Sequence, residues 1–482
     1  MANSIGTITS AGIGSGLDVE GIVSKLVAIE KQPLTQLQAT AASIQTEVST
    51  YGQIKSLAST LQDAASKLSL DSTWNSMSIT SANSAAVNAT VTGVATPGDY
   101  SLSVQQLARA QSVSSSAYAS GTAVGAGTMT IQLGSWVSDA TSSSNPPAFT
   151  PASSSGVSIA ITSTDSISTI ADKINSANAG VTASIVTDAN GQRLLVRSST
   201  TGQASGFRIQ VAEDSSSPGL SALAFDPQTS QTGGMATNTY QLATDAKASI
   251  NGIALTSSTN SFSGAVQGLN ITVGQVTTSP VDLSVATDKT TITKNIQDFV
   301  DAYNALNQAL ADATKYDAST QTAGPLQGDG PTLGLENSIR SLVTSSTVGG
   351  AFSRLSDIGI SFQQGGSLSV DSSKLSTSLD DLSSVKQLFK ASNTDASTNG
   401  LALKFQDYTT NVLGIDGAIS AKTDALQTEI TDNGKDQDSV NQRAAAVEAQ
   451  LRAQYTALDT EMASITSLNT YMTQQIAAWN KS

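Results

Sequence analysis

The chain has no cysteine and no histidine in its 482 residues. Without a thiol there is no disulfide, no thiolate nucleophile and no zinc finger. Without an imidazole there is no Ser-His-Asp triad and no histidine-based metal centre. Any extracellular location has to be held without cross-links. Aromatic residues make up only 4% and charged residues only 13%, while Ser, Thr, Ala and Gly dominate. Such a chain buries modest cores per residue and suits extended, β-rich architecture better than a compact enzyme. The 24 Lys and Arg are scattered against 38 acidic residues, a net charge of −14. That excludes the clustered basic patch that nucleic acid needs. No run of eighteen apolar residues occurs, so no helix is expected to cross or insert into a membrane. The opening MANSIGTITSAGIGSG has neither a basic n-region nor an apolar h-region and does not read as a cleaved signal peptide. The length leaves room for about two to four domains.

What is present is strongest at the C-terminus. From Leu451 to Trp479 the apolar residues form two interleaved series seven apart. Tyr455, Met462, Asn469 and Ile476 make one; Leu458, Ile465, Met472 and Trp479 make the other. Alternating steps of three and four put both on one helical seam, as in a coiled coil. The polar Asn469 interrupts the seam, a device that fixes register and partner number. A partner is expected near the N-terminus, where Leu37, Ala41, Ile44, Val48 and Tyr51 repeat the four–three spacing. Before it, Asp18 is placed to cap a helix whose apolar face is Val19, Ile22, Val23, Leu26 and Ile29, and Pro33 breaks or restarts that helix.

The middle of the chain changes character after Leu70. Ser76 to Thr92 alternates around Ser81-Ala82-Asn83-Ser84, predicting a β-hairpin, and Tyr100–Leu107 predicts a strand. Ser112 to Pro151 reads as a loop-laden boundary with short strands such as Thr128–Leu133. Val157–Ile161 reads as a strand and Ser166–Ala177 as a short helix. Asn190-Gly191 and Asn251-Gly252 mark tight hairpin turns, because both residues tolerate positive φ. Ser215 to Asn238 reads as a second polar boundary. At Asp288 the period becomes helical, with Ile292, Ile296, Phe299, Val300, Tyr303, Leu306 and Leu310 on one face. Helical pieces at Leu335–Val343, Val385–Phe389 and Leu401–Leu413 follow, with a hairpin at Ser361–Val370.

Several of these segments together carry a resemblance. IGSGLDVEGIVSKLVAIEKQPL, GDYSLSVQQLARAQ and INGIALTSSTNSFSGAVQGLNITV are similar to the flagellar filament-capping, or hook-associated protein 2, family. LSDIGISFQQGGSLSVDSSKL and RAQYTALDTEMASITSLNTYM resemble it as well, in the expected order. Asp165–Gly202 resembles the insertion module shared by flagellin and hook-associated proteins. Asn433-Gly434 departs from the family pattern at a position usually apolar, where an unbroken helix is then in question.

The fold expected is α+β and multidomain, with a terminal coiled-coil stalk, a helical leg and inserted antiparallel β-rich head domains. The division expected is 1–45 with 435–482 as stalk, and 46–75 with 286–434 as leg. Residues 76–111 with 239–285 form an inner head, and 112–238 an outer head containing the insertion-type module at about 157–211. The resemblance implies a ring-shaped cap at the distal tip of a flagellar filament that assists flagellin folding and retains monomers. It implies export by the flagellar type III route without a cleaved signal. The partners implied are further copies in a pentameric or hexameric ring, flagellin, the hook-associated junction proteins and a type III export chaperone. A second role in adhesion belongs to the same expectation. The partner-binding residues expected are Leu37, Ile44, Val48, Tyr51, Leu451, Tyr455, Leu458, Met462, Ile465, Asn469, Met472, Ile476 and Trp479.

Apparent chemical motifs have blander explanations. Gly12-Ile13-Gly14-Ser15-Gly16 resembles a phosphate-cradling loop, but no strand precedes it and the spacing fits no nucleotide motif. Asp432, Asp436 and Asp438 suggest calcium, yet the Gly and terminal Glu of an EF-hand loop are missing. Glu213 is the only Glu between Tyr51 and Gly334, which leaves little for paired-carboxylate chemistry. No enzyme activity, cofactor or metal is expected. Two other classes stay open: another axial flagellar component, flagellin or a junction protein, and a surface adhesin.

Overall fold

Residues 18–137, 147–153, 155–228 and 233–480 are described in the computed structural model. The chain divides into two compact units, Met1–Trp74 with Lys289–Ser482 and Asn75–Asp288. Asp18 caps the first helix, α1 (Val19–Glu30), its carboxylate accepting from Gly21 N–H at 2.9 Å. Lys31 joins it to α2 (Gln32–Ser69), where Pro33 occupies the first turn that tolerates it. A single turn, α3 (Asp71–Trp74), closes this first passage through the helical unit.

The β unit is built from antiparallel sheets. Its strands are β1 (Met77–Ser81), β2 (Val87–Val91), β3 (Gly98–Gln106), β4 (Ser112–Ser114), β5 (Gly127–Val137), β6 (Ala148–Pro151) and β7 (Val157–Ile161). After α4 (Ile167–Ser176) come β8 (Val181–Asp188), β9 (Gly191–Ser198), β10 (Gly206–Glu213), β11 (Ala246–Ile250), β12 (Ile253–Ser257), β13 (Ser261–Ser263), β14 (Leu269–Val273) and β15 (Val281–Thr287). One sheet runs β1-β15-β3-β11-β12 and a second β13-β14-β2. Their inner faces meet in a core of Leu102, Val104, Phe262, Ile271 and Leu283. The other pair is β10-β5-β6, with β7 also on β5, and β4-β9-β8. Ile170 and Ile174 of α4 are sealed in its core with Phe207 and Phe225.

The hairpin at Asn251-Gly252 forms as expected: β11 pairs β12 across Ile250↔Ile253, and Asn251 and Gly252 take φ of 49° and 84°, the paired left-handed conformation of a tight hairpin. A hairpin also joins β8 and β9, but its turn is shifted by one residue: Gly191 pairs with Asp188, so Ala189-Asn190 make the turn and only Gly191, at φ 134°, leaves the usual negative range. Three further expectations are corrected. Ser76 to Thr92 does not form a hairpin: β1 pairs β15 while β2 pairs β14 in the other sheet. The local alternation was real, but each strand buries its face better against a strand distant in sequence. Ser112–Pro151 is not chiefly boundary, since it holds the eleven-residue β5 at the centre of its sheet. Ser215 to Asn238 is polar in composition, yet Leu220, Leu223, Phe225 and Met235 are fully buried in that core.

The chain then re-enters the helical unit. Here α5 (Lys289–Thr314), α6 (Gly330–Thr344), α7 (Ser372–Ser378), α8 (Leu382–Lys390), α9 (Leu401–Leu413) and the 62-residue α10 (Ala418–Trp479) follow. The expected face of α5 is the buried one, and Phe299 meets Phe405 of α9 edge-on at 5.2 Å. The Tyr303 hydroxyl donates to Gly366 O at 2.9 Å, fixing the turn of the hairpin Ile360–Phe362 with Leu368–Val370 against α5. Trp74 stacks on Phe389 and donates its indole N–H to Leu68 O at 2.8 Å.

Candidate assembly surface on the terminal helices

One helix, α10, changes neighbours as it rises. Its lower buried residues are Ile419, Leu426, Asn433 and Val440, a strict seven-residue series facing α2 and the core. Then the series shifts by four. Ala444 is fully buried, Leu451 and Tyr455 are half-buried, and their neighbours are Val19, Val23 and Val27 of α1. An insertion of four residues is the stutter that lets a helix pass from one packing seam to another.

Charges fix the direction of the α1 contact. Both Nη atoms of Arg452 reach the two carboxylate oxygens of Glu20 at 2.7 Å, and Arg443 reaches Glu30 at 2.6 Å. Residue 20 therefore stands opposite 452 and residue 30 opposite 443, so α1 and α10 run antiparallel. The Arg452 hydrogen bonds, then its charge, hold the Glu20 carboxyl below the ordinary range. These pairs are exposed, so they set register more than they stabilise.

The expected pairing of the seam with the N-terminal residues is corrected in register. Ile44 and Tyr51 are buried in the core that α2 shares with α5, α9 and the lower part of α10, and Val48 packs against it. Leu37 lies half-buried at a groove of about 460 Å³, with Pro33 and Thr40 on one side and Asp436, Val440 and Arg443 on the other. These four residues thus meet the 419–440 part of α10, not 451–479. The Tyr51 hydroxyl donates to Asp329 and accepts from Thr332 at 3.0 Å, while Lys422 of α10 lies 3.5 Å from the same carboxylate. Burial works to raise the Asp329 carboxyl, but hydrogen bonds from Tyr51 and Thr332 outweigh it and lower it. Helices α2, α6 and α10 are locked together there, an engagement the heptad spacing alone did not reveal.

Leu451 and Tyr455 of the predicted seam pack against the α1 valines, and the seam residues beyond them are exposed among the described residues. Leu458 is 42% exposed, Met462 37%, Ile465 55%, Met472 54%, Ile476 53% and Trp479 83%, and Asn469 is also exposed. The stretch beyond Tyr455 runs for about 36 Å at 1.5 Å per residue. Helix α10 is unbroken at Asn433-Gly434: Asn433 is buried and accepts from the Gln437 amide at 2.7 Å, and a Cβ at Gly434 would meet nothing. Asp432, Asp436 and Asp438 lie along this same helix, Asp432 paired with Lys435 at 2.8 Å. Gly12–Gly16 lies outside the described residues.

Three comparisons bear on this surface. Residues 15–111 and 243–467 match the models for the N-terminus and C-terminus of flagellar hook-associated protein 2, and residues 144–200 match the flagellin hook IN motif. The flagellar hook-associated protein 2 of Escherichia coli (strain K12) is 30% identical over 480 residues, 97% of this chain and 98% of that one. The B-type flagellar hook-associated protein 2 of Pseudomonas aeruginosa is 27% identical over 97% of each chain. The solved D1-D2-D3 domains of the flagellar cap protein FliD from Escherichia coli superpose with a TM-score of 0.58 at 28% identity, covering 78% of this chain and 99% of that one.

Proposed function

The chain belongs to the flagellar hook-associated protein 2 family, and we propose on that footing that it caps the distal end of a flagellar filament. The observation that carries this reading is the end-to-end likeness to proteins of that name, including a solved flagellar cap. A long helix with an exposed apolar edge supports it, since such an edge needs a partner outside the folded chain. The role is structural: copies close into a ring of about five or six by cyclic symmetry. The terminal helices engage the filament end, and flagellin is retained and folded at the cap. Export follows the flagellar type III route with a dedicated chaperone, and the junction proteins are its neighbours before the filament grows.

Immunogold labelling in the source cell, with and without the gene, tests this. Label confined to one particle per filament tip, and free flagellin in the medium when the gene is deleted, is the expected result. Label along the whole filament, or unchanged flagellin retention in the deletion strain, overturns it.

A further inference from the structure

We propose that Asn251, at the tip of the β11–β12 hairpin, is a site of spontaneous modification in the folded protein, its side-chain amide closing on Gly252 to give aspartate and isoaspartate. The conversion goes beyond the filament reading and holds wherever the chain is assembled.

The chain has four Asn-Gly pairs, beginning at residues 190, 251, 399 and 433. Each is chemically able to close into a succinimide, because glycine puts no Cβ in the way of its own nitrogen. The structure separates them by what that nitrogen is doing. The Gly400 N–H donates to Ala391 O at 2.7 Å, and a Cβ at Gly400 would lie 2.3 Å from Phe389 O. That amide is bonded and enclosed, and Asn399 Oδ1 is itself held by the Asn393 N–H at 2.7 Å. Gly434 lies inside α10, where its N–H belongs to the helical ladder, and Asn433 beside it is buried. The Gly191 N–H donates to the Asp188 carboxylate, which also accepts from Asn190 N–H at 2.7 Å. A negative charge against that amide opposes loss of its proton, the step that makes it a nucleophile.

Gly252 differs from the other three. Its N–H makes no hydrogen bond among the described residues, and both Asn251 and Gly252 are exposed. A Cβ built on Gly252 would meet nothing within 4 Å, so hydroxide reaches the amide without displacing a partner. The electrophile is prepared at the same time. Ser101 N–H donates to Asn251 Oδ1 at 2.8 Å, and Asn251 N–H donates to Ser101 O at 2.9 Å. As nitrogen adds to Cγ the side-chain oxygen gains negative charge, and a backbone donor already placed on it stabilises that charge. The two reacting groups are chain neighbours, so closure is unimolecular.

In the first step the deprotonated Gly252 nitrogen bonds to Asn251 Cγ, the Cγ–Nδ2 bond breaks, and Nδ2 leaves as ammonia with a proton from water. Water then opens the ring at either carbonyl. Addition at Cγ gives aspartate; addition at the main-chain carbonyl gives isoaspartate, whose backbone runs through the former side-chain methylene. The two products differ in consequence. Aspartate keeps an acceptor for Ser101 N–H, so the hairpin persists. Isoaspartate lengthens a two-residue turn whose register Ile250↔Ile253 depends on its length. Strand β12 stands at the end of its sheet and Ile253 is 69% exposed, so the damage is confined to an edge and the core survives. The mark therefore accumulates with the age of a molecule that stays folded.

The full-length protein is incubated in mildly alkaline buffer, natively and in urea, and conversion at the four asparagines is followed by peptide mass spectrometry. Expected is conversion at Asn251 no slower in the native protein than in urea, with both products present. Native conversion at Asn399 and Asn433 should be slowed at least several-fold against urea, with Asn190 between. Asn251 slowed as much as Asn399, or Asn190 outrunning it, overturns the proposal. Aspartate without isoaspartate would show direct hydrolysis and overturn it as well. Asn251→Asp should fold with an unchanged melting temperature, while the isoaspartate-bearing fraction loses hydrogen-exchange protection over Ile253–Ser257 and keeps it over β3. Equal protection of β12 in the aged and fresh proteins would overturn the predicted confinement of the damage to that strand.

Discussion

Replacing Val23 by Asp isolates how α1 is held to the rest of the chain. Val23 is 1% exposed between Ala444 and the half-buried Leu451 and Tyr455. Removing its apolar surface costs about 1.5–3 kcal/mol, and an unpartnered polar group in its place adds about 1–3 kcal/mol. The sum, about 4 kcal/mol, is about three orders of magnitude in the docking equilibrium. A twelve-residue helix is marginal on its own, so undocking and unfolding of α1 are one event. Hydrogen exchange followed by mass spectrometry reads it directly. Protection of residues 21–31 should fall about 1,000-fold, while the α5 amides around Phe299 and Tyr303 keep theirs. Ser24→Asp, one residue on and exposed, should change neither. If the Val23→Asp protein loses less than about tenfold protection in α1, the helix is held by something other than the valine stripe.

Leu458→Asp with Ile465→Asp places carboxylates on the exposed seam; thermal unfolding of the purified chain should be unmoved while assembly, read by mass photometry and tip labelling, is lost. Asp71 is drawn down to about 2 by hydrogen bonds from Lys386 and Lys390 and then by their charges. Its folded value lies below the unfolded one, so its contribution is present above about pH 4 and fades as pH falls towards about 2; Asp71→Asn should flatten the decline in melting temperature across that window. Burial pushes the Glu47 carboxyl up, with Lys422 opposing and Glu429 and Asp329 adding to it. A raised acid costs stability once ionised, so Glu47→Gln should raise the melting temperature at pH 7 and leave it unchanged at pH 3.

Legibility in the sequence followed the range of the signal. The hairpin turn at Asn251-Gly252 was readable because the turn dihedrals are a local property, and the β8–β9 hairpin was readable to within one residue of its turn. The short helix at Ser166–Ala177 and the buried face of α5 were readable because one period runs uninterrupted. What was not readable was partner choice. Strand β2 alternates whichever strand it joins, and only burial in the three-dimensional core sends it to β14 rather than β1. The terminal seam shows the same limit: Leu37 and Leu458 share a spacing, but α2 prefers the lower α10 because Tyr51, Asp329, Thr332 and Lys422 lock the register there. The shift at Val440–Ala444 was hidden because Asn433 and Ala444 are not the residues an apolar count picks out.

Why so much of α10 is exposed follows from what the stretch is made of. Thr456, Thr460, Thr466, Thr470 and Thr473 each turn the hydroxyl back onto the carbonyl four residues earlier, at 2.7–2.9 Å. Threonine is a weak helix former, and such back-bonding slightly destabilises and bends the helix. The stretch is therefore held helical chiefly by continuity with the part of α10 clamped between α1 and α2. A fully rigid rod would dock with a smaller loss of entropy, but would fit one surface only. A disordered tail would adapt to many surfaces and lose most of the interaction energy in ordering. A helix nucleated at Leu451 and weakened beyond it sits between these limits: the nucleation cost is met within the folded unit, and the remaining order is completed by whichever apolar stripe matches its four–three spacing.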